Sequence, residues 1–408
     1  MSHFLKIFQQ TFWQVLGKVV TSISTFIILG LVARNYGENG TGVFTLALTY
    51  LAIFYLLADF GFNAHVLRKI KNQKSKIKIE WNNLLGTRIL WSLGLVTLAV
   101  GSLPFWPFSS AEFSKAVLLG SLAIVGSGIF VTCNLIFQSK LRYDLSVLSS
   151  SFGTIVSLAI FAFLSFYKYP IPFLLLAHLL GWIMIATAAL VLIKKFSSKI
   201  APLFSMQYTK DLFKDSWPIA ATLALNVVYF RADAFLIAYF KSSADVGIYN
   251  IAYSVFQSAL VLSTFIMNAY YPMMLKSLDG IRRVGLGLLG LSVVGLLLTQ
   301  VLAPLIIKIL TGSGFVGSTT SLQILSLGFP AYFLSSLLMW FMIIKGKYKQ
   351  TLFLYTSGLV VNLILNFIYI PQHSFVAASW TTVISEYFIL LMQVVVLWFE
   401  RSKNSTSR

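Results

Sequence analysis

The chain has 408 residues, of which 58% are hydrophobic and only 11% charged, and its 31 Lys and Arg against 12 Asp and Glu give a formal charge of +19. A soluble domain carries roughly 25% charged residues to cover its surface, so this composition excludes a soluble globule and requires an outer surface that meets lipid. The single cysteine, Cys133, excludes an internal disulfide.

Met1–Gln10 is polar to mixed and shows no cleavable signal pattern. Continuously apolar runs follow at Phe12–Ala33, Val43–Phe62, Leu84–Leu103, Ala116–Phe137, Leu145–Tyr167 and Ile171–Ile193. The second half gives Trp217–Phe240, Val246–Tyr271, Val284–Lys308, Ser321–Ile344, Thr351–Ile370 and Phe375–Phe399. Each run approaches the ~20 residues a spanning helix needs, and none shows the strict alternation of barrel strands. The expected fold is therefore an all-α integral membrane protein with about twelve transmembrane helices.

Orientation follows from Lys and Arg in the short loops. One alternating set holds Arg68, Lys69, Lys71, Lys74, Lys76 and Lys78, then Lys140, Arg142, Lys194, Lys195, Lys199, Lys210 and Lys214. It continues with Lys276, Arg282, Arg283, Lys345, Lys347 and Lys349, and the tail adds Arg401, Lys403 and Arg408. The opposite set offers only Arg34, Lys115, Lys168, Lys241 and Lys308. Both termini are expected in the cytoplasm, in a cytoplasmic (inner) membrane. The positive charge is thus a topology signal facing anionic lipid, and no nucleic-acid partner is expected.

An internal repeat organises the chain. Leu31–Thr49 reads LVARNYGENGTGVFTLALT and Leu236–Ser254 reads LIAYFKSSADVGIYNIAYS, with ungapped matches at an offset of 205 residues. Each copy ends one span and begins the next, and six spans separate them, so the halves share an orientation. Parallel repeats of this kind are a transporter architecture. Two six-helix bundles are expected, 1–200 and 201–408, divided in the basic linker Lys194–Lys214 that contains Pro202.

Two glycine patterns carry no chemistry. Gly285, Gly287 and Gly290 satisfy GxGxxG, but no strand precedes them, and small residues there are expected to permit close helix contact. Gly312–Thr319 resembles a phosphate-binding loop, but Ser318 stands where that loop needs Lys. There is no HExxH, CxxC or nucleophile elbow, so no catalytic residue, metal or cofactor is expected. The short outer loops argue against an enzyme.

Ionisable groups inside spans are the informative residues, because charge is costly in lipid and marks a pathway. Lys18 either snorkels to the cytoplasmic interface or stands in a cavity attracting phosphate. Arg231 and Asp233 lie deep in the seventh span and do not face each other at a spacing of two. Each needs a partner elsewhere, in a cavity or gate or as an inter-helix pair. Asp59 is read as a candidate translocation residue that can also pair with Arg68 or Lys69, and Arg88 as a marker of the cytoplasmic boundary. Glu386 is a candidate to respond to protons or a coupling ion, and His178 reads first as a packed polar group. Asn226, Gln257, Asn268, Asn362 and Asn366 either line a wet cavity or bond between helices.

The stretches LVARNYGENGTGVF…LADFG (Leu31 to Gly61) and SWPIA…RADAFLIAYF…DVGIYNIAYS (Ser216 to Ser254) resemble polysaccharide-repeat-unit (O-antigen/capsule, Wzx-type) flippases. So do IIKILTGSGF…LQILS (Ile306 to Ser326) and NLILNFIYIP (Asn362 to Pro371). Where that family reads a glycine-alanine-alanine run after its last proline, this chain has Ser374-Phe375-Val376 before Ala377-Ala378. The resemblance implies a member of the multidrug/oligosaccharidyl-lipid/polysaccharide exporter superfamily, with two six-helix bundles around a central cavity and alternating access. It implies an undecaprenyl-diphosphate-linked oligosaccharide as substrate, carried to the outer leaflet, with membrane lipid and the polysaccharide polymerase machinery as partners. Lys18 and Arg231 would offset the cost of burying the diphosphate. The rival readings are a multidrug antiporter of the same fold, a lipid II flippase, and a membrane glycosyltransferase or polymerase.

Overall fold

A computed structural model describes residues 3–70, 77–196, 200–275 and 277–406, and all regular structure in it is helical. Lys71, Lys74, Lys76, Lys199, Lys276 and Arg408 lie outside the described residues, as do the side chains of Lys78, Asn226, Arg401 and Lys403. The order is α1 (His3–Asp59), α2 (Phe62–Ile70), α3 (Ile77–Gly101), α4 (Ala111–Gly120), α5 (Ala123–Ser139), α6 (Tyr143–Phe166) and α7 (Ile171–Ile193). There follow α8 (Met206–Phe240), α9 (Ser243–Met274), α10 (Ile281–Thr311), α11 (Val316–Ser326), α12 (Phe329–Ile344) and α13 (Tyr348–Thr406).

Among the described residues, eight helices are long and apolar enough to cross a membrane, or ten if each of two bent pairs is one span. Two of the eight contain an internal break, α1 at Gly37 (φ 65°, ψ −166°) and α13 at Ser374 (φ 51°, ψ −135°). Each is two spanning limbs joined by a reversal, which brings the total to about twelve. Glycine suits the first break because a side chain is strained at that positive φ. Ser374 tolerates the second by donating its hydroxyl to Asp245 Oδ1 at 2.7 Å. Asp245 also closes a capping box with Ser242 at the start of α9, so the second copy of the repeat breaks at a hydrogen-bonded cap where the first uses a glycine.

The chain divides into two compact units, Met1–Arg231 and Ala232–Arg408. Within the first unit, the basic linker is strapped down. Leu203 N–H donates to Asn82 O at 3.0 Å, and a Cβ on Gly86 would lie 2.0 Å from Leu203 O. Phe213, in the opening turns of α8, packs its ring 4.8 Å from Phe60, 5.1 Å from Phe62 and 4.9 Å from Trp91. About three-quarters of α8, as far as Arg231, belong to the first unit.

Small-residue packing sits elsewhere than expected. A Cβ on Gly287 or Gly290 would meet nothing within 4 Å, and only Gly285 touches a neighbour, Leu337 at 3.3 Å. The close approach lies between α6 and α7, where a Cβ on Gly153 would come within 2.7 Å of Gly181 O. Gly314 (φ 88°) is in the turn before α11, and Ser318 donates to Ile248 O at 2.7 Å, so that glycine-rich stretch is a helix junction.

Candidate functional site

The first limb of α1 is exposed on two opposite sides. Gln14, Lys18, Thr21 and Thr25 are exposed, and their 4-3-4 spacing keeps them on one face of a helix. Phe12, Leu16, Val19, Ile23 and Ile27 are also exposed. At about 100° per residue the two stripes lie on opposite sides of the helix. Gly17 and Ser24, between the stripes, are buried, and a Cβ on Gly17 would meet Val147 of α6 at 3.0 Å. One side is thus apolar, the other polar with Lys18 in it, and Lys18 has no ion-pair partner among the described residues.

Arg231 in α8 is half-buried and likewise has no ion-pair partner among the described residues. Asp233, two residues on, is buried at 4% exposure. Its Oδ2 accepts from Tyr249 Oη of α9 at 2.6 Å and from Thr382 Oγ1 of α13 at 2.9 Å. Its Oδ1 accepts from Asn366 Nδ2, and Asn366 also donates to Asn362 Oδ1 at 2.9 Å. Thr381 closes the network by donating to Asn366 Oδ1. The partners that Asp233 required are thus neutral donors from three helical limbs, not a cation. Asn362 and Asn366 bond between helices, whereas Gln257 is half-buried and Asn268 exposed. One carboxylate among amides and hydroxyls suits a proton or a hard cation rather than a soft metal. Glu386 is buried one turn beyond Thr382.

Asp59 and Arg88 correct the sequence reading. Asp59 pairs with neither Arg68 nor Lys69; Lys69 instead meets Glu80 at 2.9 Å. Arg88 of α3 is completely buried and lies 3.6 Å from Asp59 Oδ1. Its Nε donates to Ala58 O at 3.1 Å and its Nη2 to Asp59 O at 3.0 Å. Its Nη1 reaches Asn63 Oδ1 and Thr132 Oγ1, both at 2.9 Å. Helix ends leave carbonyls without intrahelical donors, and Arg88 satisfies two of them where α1 stops. The guanidinium clamps the reversal at Phe60 and Gly61 (φ 49° and 70°), a structural task that α3's sequence alone did not reveal.

His178 of α7 is a packed polar group with an additional feature. Its Nε2 lies 2.8 Å from Tyr55 Oη and accepts the indole N–H of Trp182 at 3.2 Å. His178 and Trp182 line a cavity within the first unit, together with Thr21, Thr25 and Ser157. Sequence reading passed over those hydroxyl residues, although the polar spacing through Lys18, Thr21 and Thr25 was available to it.

The family model described as "Polysaccharide biosynthesis protein" matches residues 7–278. A "Putative O-antigen transporter" of Shigella dysenteriae is 22% identical over 353 residues, covering 84% of this chain and 86% of its own. Among solved structures, a lipid II flippase in an inward-closed conformation superposes with a TM-score of 0.76 at 16% identity, covering 94% of this chain and 87% of that one. An inward-facing multidrug resistance MATE family transporter of the MOP superfamily gives 0.72 at 12% identity, with 95% of each chain covered. These structural likenesses show a shared fold.

Proposed function

Because the chain belongs to the polysaccharide biosynthesis protein family and is a multi-pass membrane transporter related to O-antigen transporters, we propose that it flips a lipid-linked oligosaccharide from the cytoplasmic to the outer leaflet. The substrate is an oligosaccharide on an undecaprenyl diphosphate, moved by alternating access in the cytoplasmic membrane, with both termini inside. The two halves of the repeat, 1–200 and 201–408, are its functional halves.

The observation that carries this reading is the two-sided exposure of α1's first limb. A lysine in mid-helix facing lipid costs about 2.5–3.5 kcal/mol on insertion scales. Lys18 instead shares a face with Gln14, Thr21 and Thr25, opposite the face of exposed Leu, Val and Ile. That stripe extends for about 16 Å along the helix at 1.5 Å per residue, longer than an interfacial snorkel requires. It supports a water-lined path with a cation in it, and Arg231 adds a second. Two cations without ion-pair partners among the described residues suit a diphosphate. A drug antiporter for organic cations would draw on Asp233 and Glu386, but Asp233 already receives three neutral hydrogen bonds.

The test is complementation of a deletion strain, scoring surface polysaccharide and lipid-linked intermediates in the cytoplasmic leaflet. Lys18→Gln and Arg231→Ala are expected to insert at wild-type levels yet lose polymer and accumulate intermediates inside, while Lys18→Arg retains export. Wild-type polymer from both neutralised variants refutes the reading. Unchanged polysaccharide on deletion, with lowered resistance to cationic compounds, transfers the protein to the drug-antiporter reading.

A further inference from the structure

The cavity beside His178 measures about 230 Å3 and is lined by both limbs of α1 with α6 and α7. The contact between α6 and α7 shapes it: a Cβ on Gly181 would lie 2.6 Å from Ser157 Cβ, so glycine there lets the two helices close on each other. Among its described lining residues there is no Asp, Glu, Lys or Arg. A ligand held here has no charge to answer.

Three hydroxyl groups of the lining share one arrangement. Thr21 Oγ1 donates to Gly17 O at 2.8 Å, Thr25 Oγ1 to Thr21 O at 2.9 Å and Ser157 Oγ to Ala177 O at 2.9 Å. A hydroxyl has one proton and two lone pairs, so these three oxygens have committed their protons to the backbone and remain acceptors. An indole N–H can only donate; His178 Nε2 must therefore be an acceptor towards Trp182, and the ring carries its proton on Nδ1. That bond fixes the indole by its edge, and Tyr55 steadies it with ring centroids 5.6 Å apart. The site combines a held aromatic surface, several acceptors and no charge.

We infer that this cavity binds a neutral sugar residue of the transported oligosaccharide, with Trp182 against the ring's C–H face and the hydroxyl oxygens of Thr21, Thr25 and Ser157 accepting from sugar hydroxyls. The inference rests on the flippase reading for the identity of the cargo, but the chemistry is set by the cavity. An organic cation finds no counter-charge here. A hydrocarbon tail would leave the three acceptors facing apolar groups. A pyranose supplies both donors and an apolar face. Its position suits the substrate too: Thr21 follows Lys18 by three residues on one stripe, about 4.5 Å along the axis, so a diphosphate at Lys18 places the adjoining sugar at the cavity.

The experiment is saturation-transfer NMR on the full-length protein in nanodiscs, with methyl α-D-glucoside and N-acetylglucosamine as probes and tetraphenylphosphonium as competitor. Wild-type protein is expected to transfer saturation to the ring C–H protons of a sugar, and the cation not to displace it. The near-isosteric pair Thr21→Val and Thr25→Val, made together, should weaken the sugar at least threefold, since each lost acceptor is worth a factor of about two to ten. Trp182→Leu should abolish the transfer; the threonine pair decides the matter if that variant folds poorly. No transfer on wild-type protein, unchanged transfer in the threonine pair, or displacement by the cation overturns the assignment. If deletion in the host blocks export while the threonine pair binds sugar and exports as wild type, the flippase reading stands and the cavity assignment falls. If deletion leaves polysaccharide intact but sugar binding still depends on the threonines, the sugar site stands and the flippase reading falls.

Discussion

Replacing Arg88 by Met removes the guanidinium while keeping a long side chain, and the structure sets the size of the effect. The carbonyls of Ala58 and Asp59 and the amide oxygen of Asn63 each lose a charged donor. A buried acceptor left without a donor costs about 1–3 kcal/mol. Asp59's side chain is 38% exposed, so water replaces part of the lost contact at that end. Breaking a buried pair in this way costs about 3–5 kcal/mol, which for a unit of this size corresponds to a fall in melting temperature of roughly 6–20 °C. The assay is thermal unfolding of the purified protein in detergent, followed by tryptophan fluorescence; Trp81 and Trp91 lie on the same helix as Arg88. Lys69→Gln is the comparison, because its half-exposed pair with Glu80 is worth at most about 1 kcal/mol. Adding Asp59→Asn to Arg88→Met should recover part of the loss by removing the carboxylate left behind. The reasoning is refuted if Arg88→Met melts within 2 °C of wild type, a margin of about 1 kcal/mol or less, or if Lys69→Gln is the more damaging change.

Asp233→Asn should separate folding from transport. The two hydroxyls on Oδ2 can reverse to accept from the new amide N–H2, while its oxygen still receives Asn366, so stability should fall by only about 1 kcal/mol; loss of export from this well-folded variant is expected, and wild-type flipping in vesicles removes the carboxylate from the mechanism. In the α6–α7 contact, Gly153→Ala places a Cβ 2.3 Å from Ile185 Cγ1 and 2.7 Å from Gly181 O, and overpacking of that kind costs about 1–3 kcal/mol or more. Gly287→Ala and Gly290→Ala meet open space and should raise stability by up to about 1 kcal/mol through helix propensity; the same melting assay ranks all three, and an equal effect at Gly153 and Gly290 would contradict the packing described.

Much of the fold was legible because lipid imposes long apolar runs: the sixth run, Ile171–Ile193, is α7 to the residue, and the breaks at Gly37 and Ser374 fall between runs already separated in the sequence. The site was legible only as a set of charges, and intramembrane charge by itself does not distinguish a clamp from a path. Asp59 illustrates the limit. Sequence neighbours offered Arg68 and Lys69, yet its partner stands 29 residues away on α3, at a distance no helical spacing encodes. Asp233 is similar, drawing donors from 16, 133 and 149 residues away. What separates these from Lys18 is solvation. A charged side chain whose hydrogen bonds are filled by the protein gains little from a ligand, and truncating it, unlike replacing it with an isosteric amide, costs structure. Lys18 is exposed on a polar face, and both it and Arg231 lack an ion-pair partner among the described residues. With no counter-charge among the described residues, each has the most to gain from the anionic cargo proposed above. Partner count, read after folding, therefore ranks Lys18 and Arg231 above Asp59 as candidate contacts for the proposed substrate, a ranking that depth in the span could not supply.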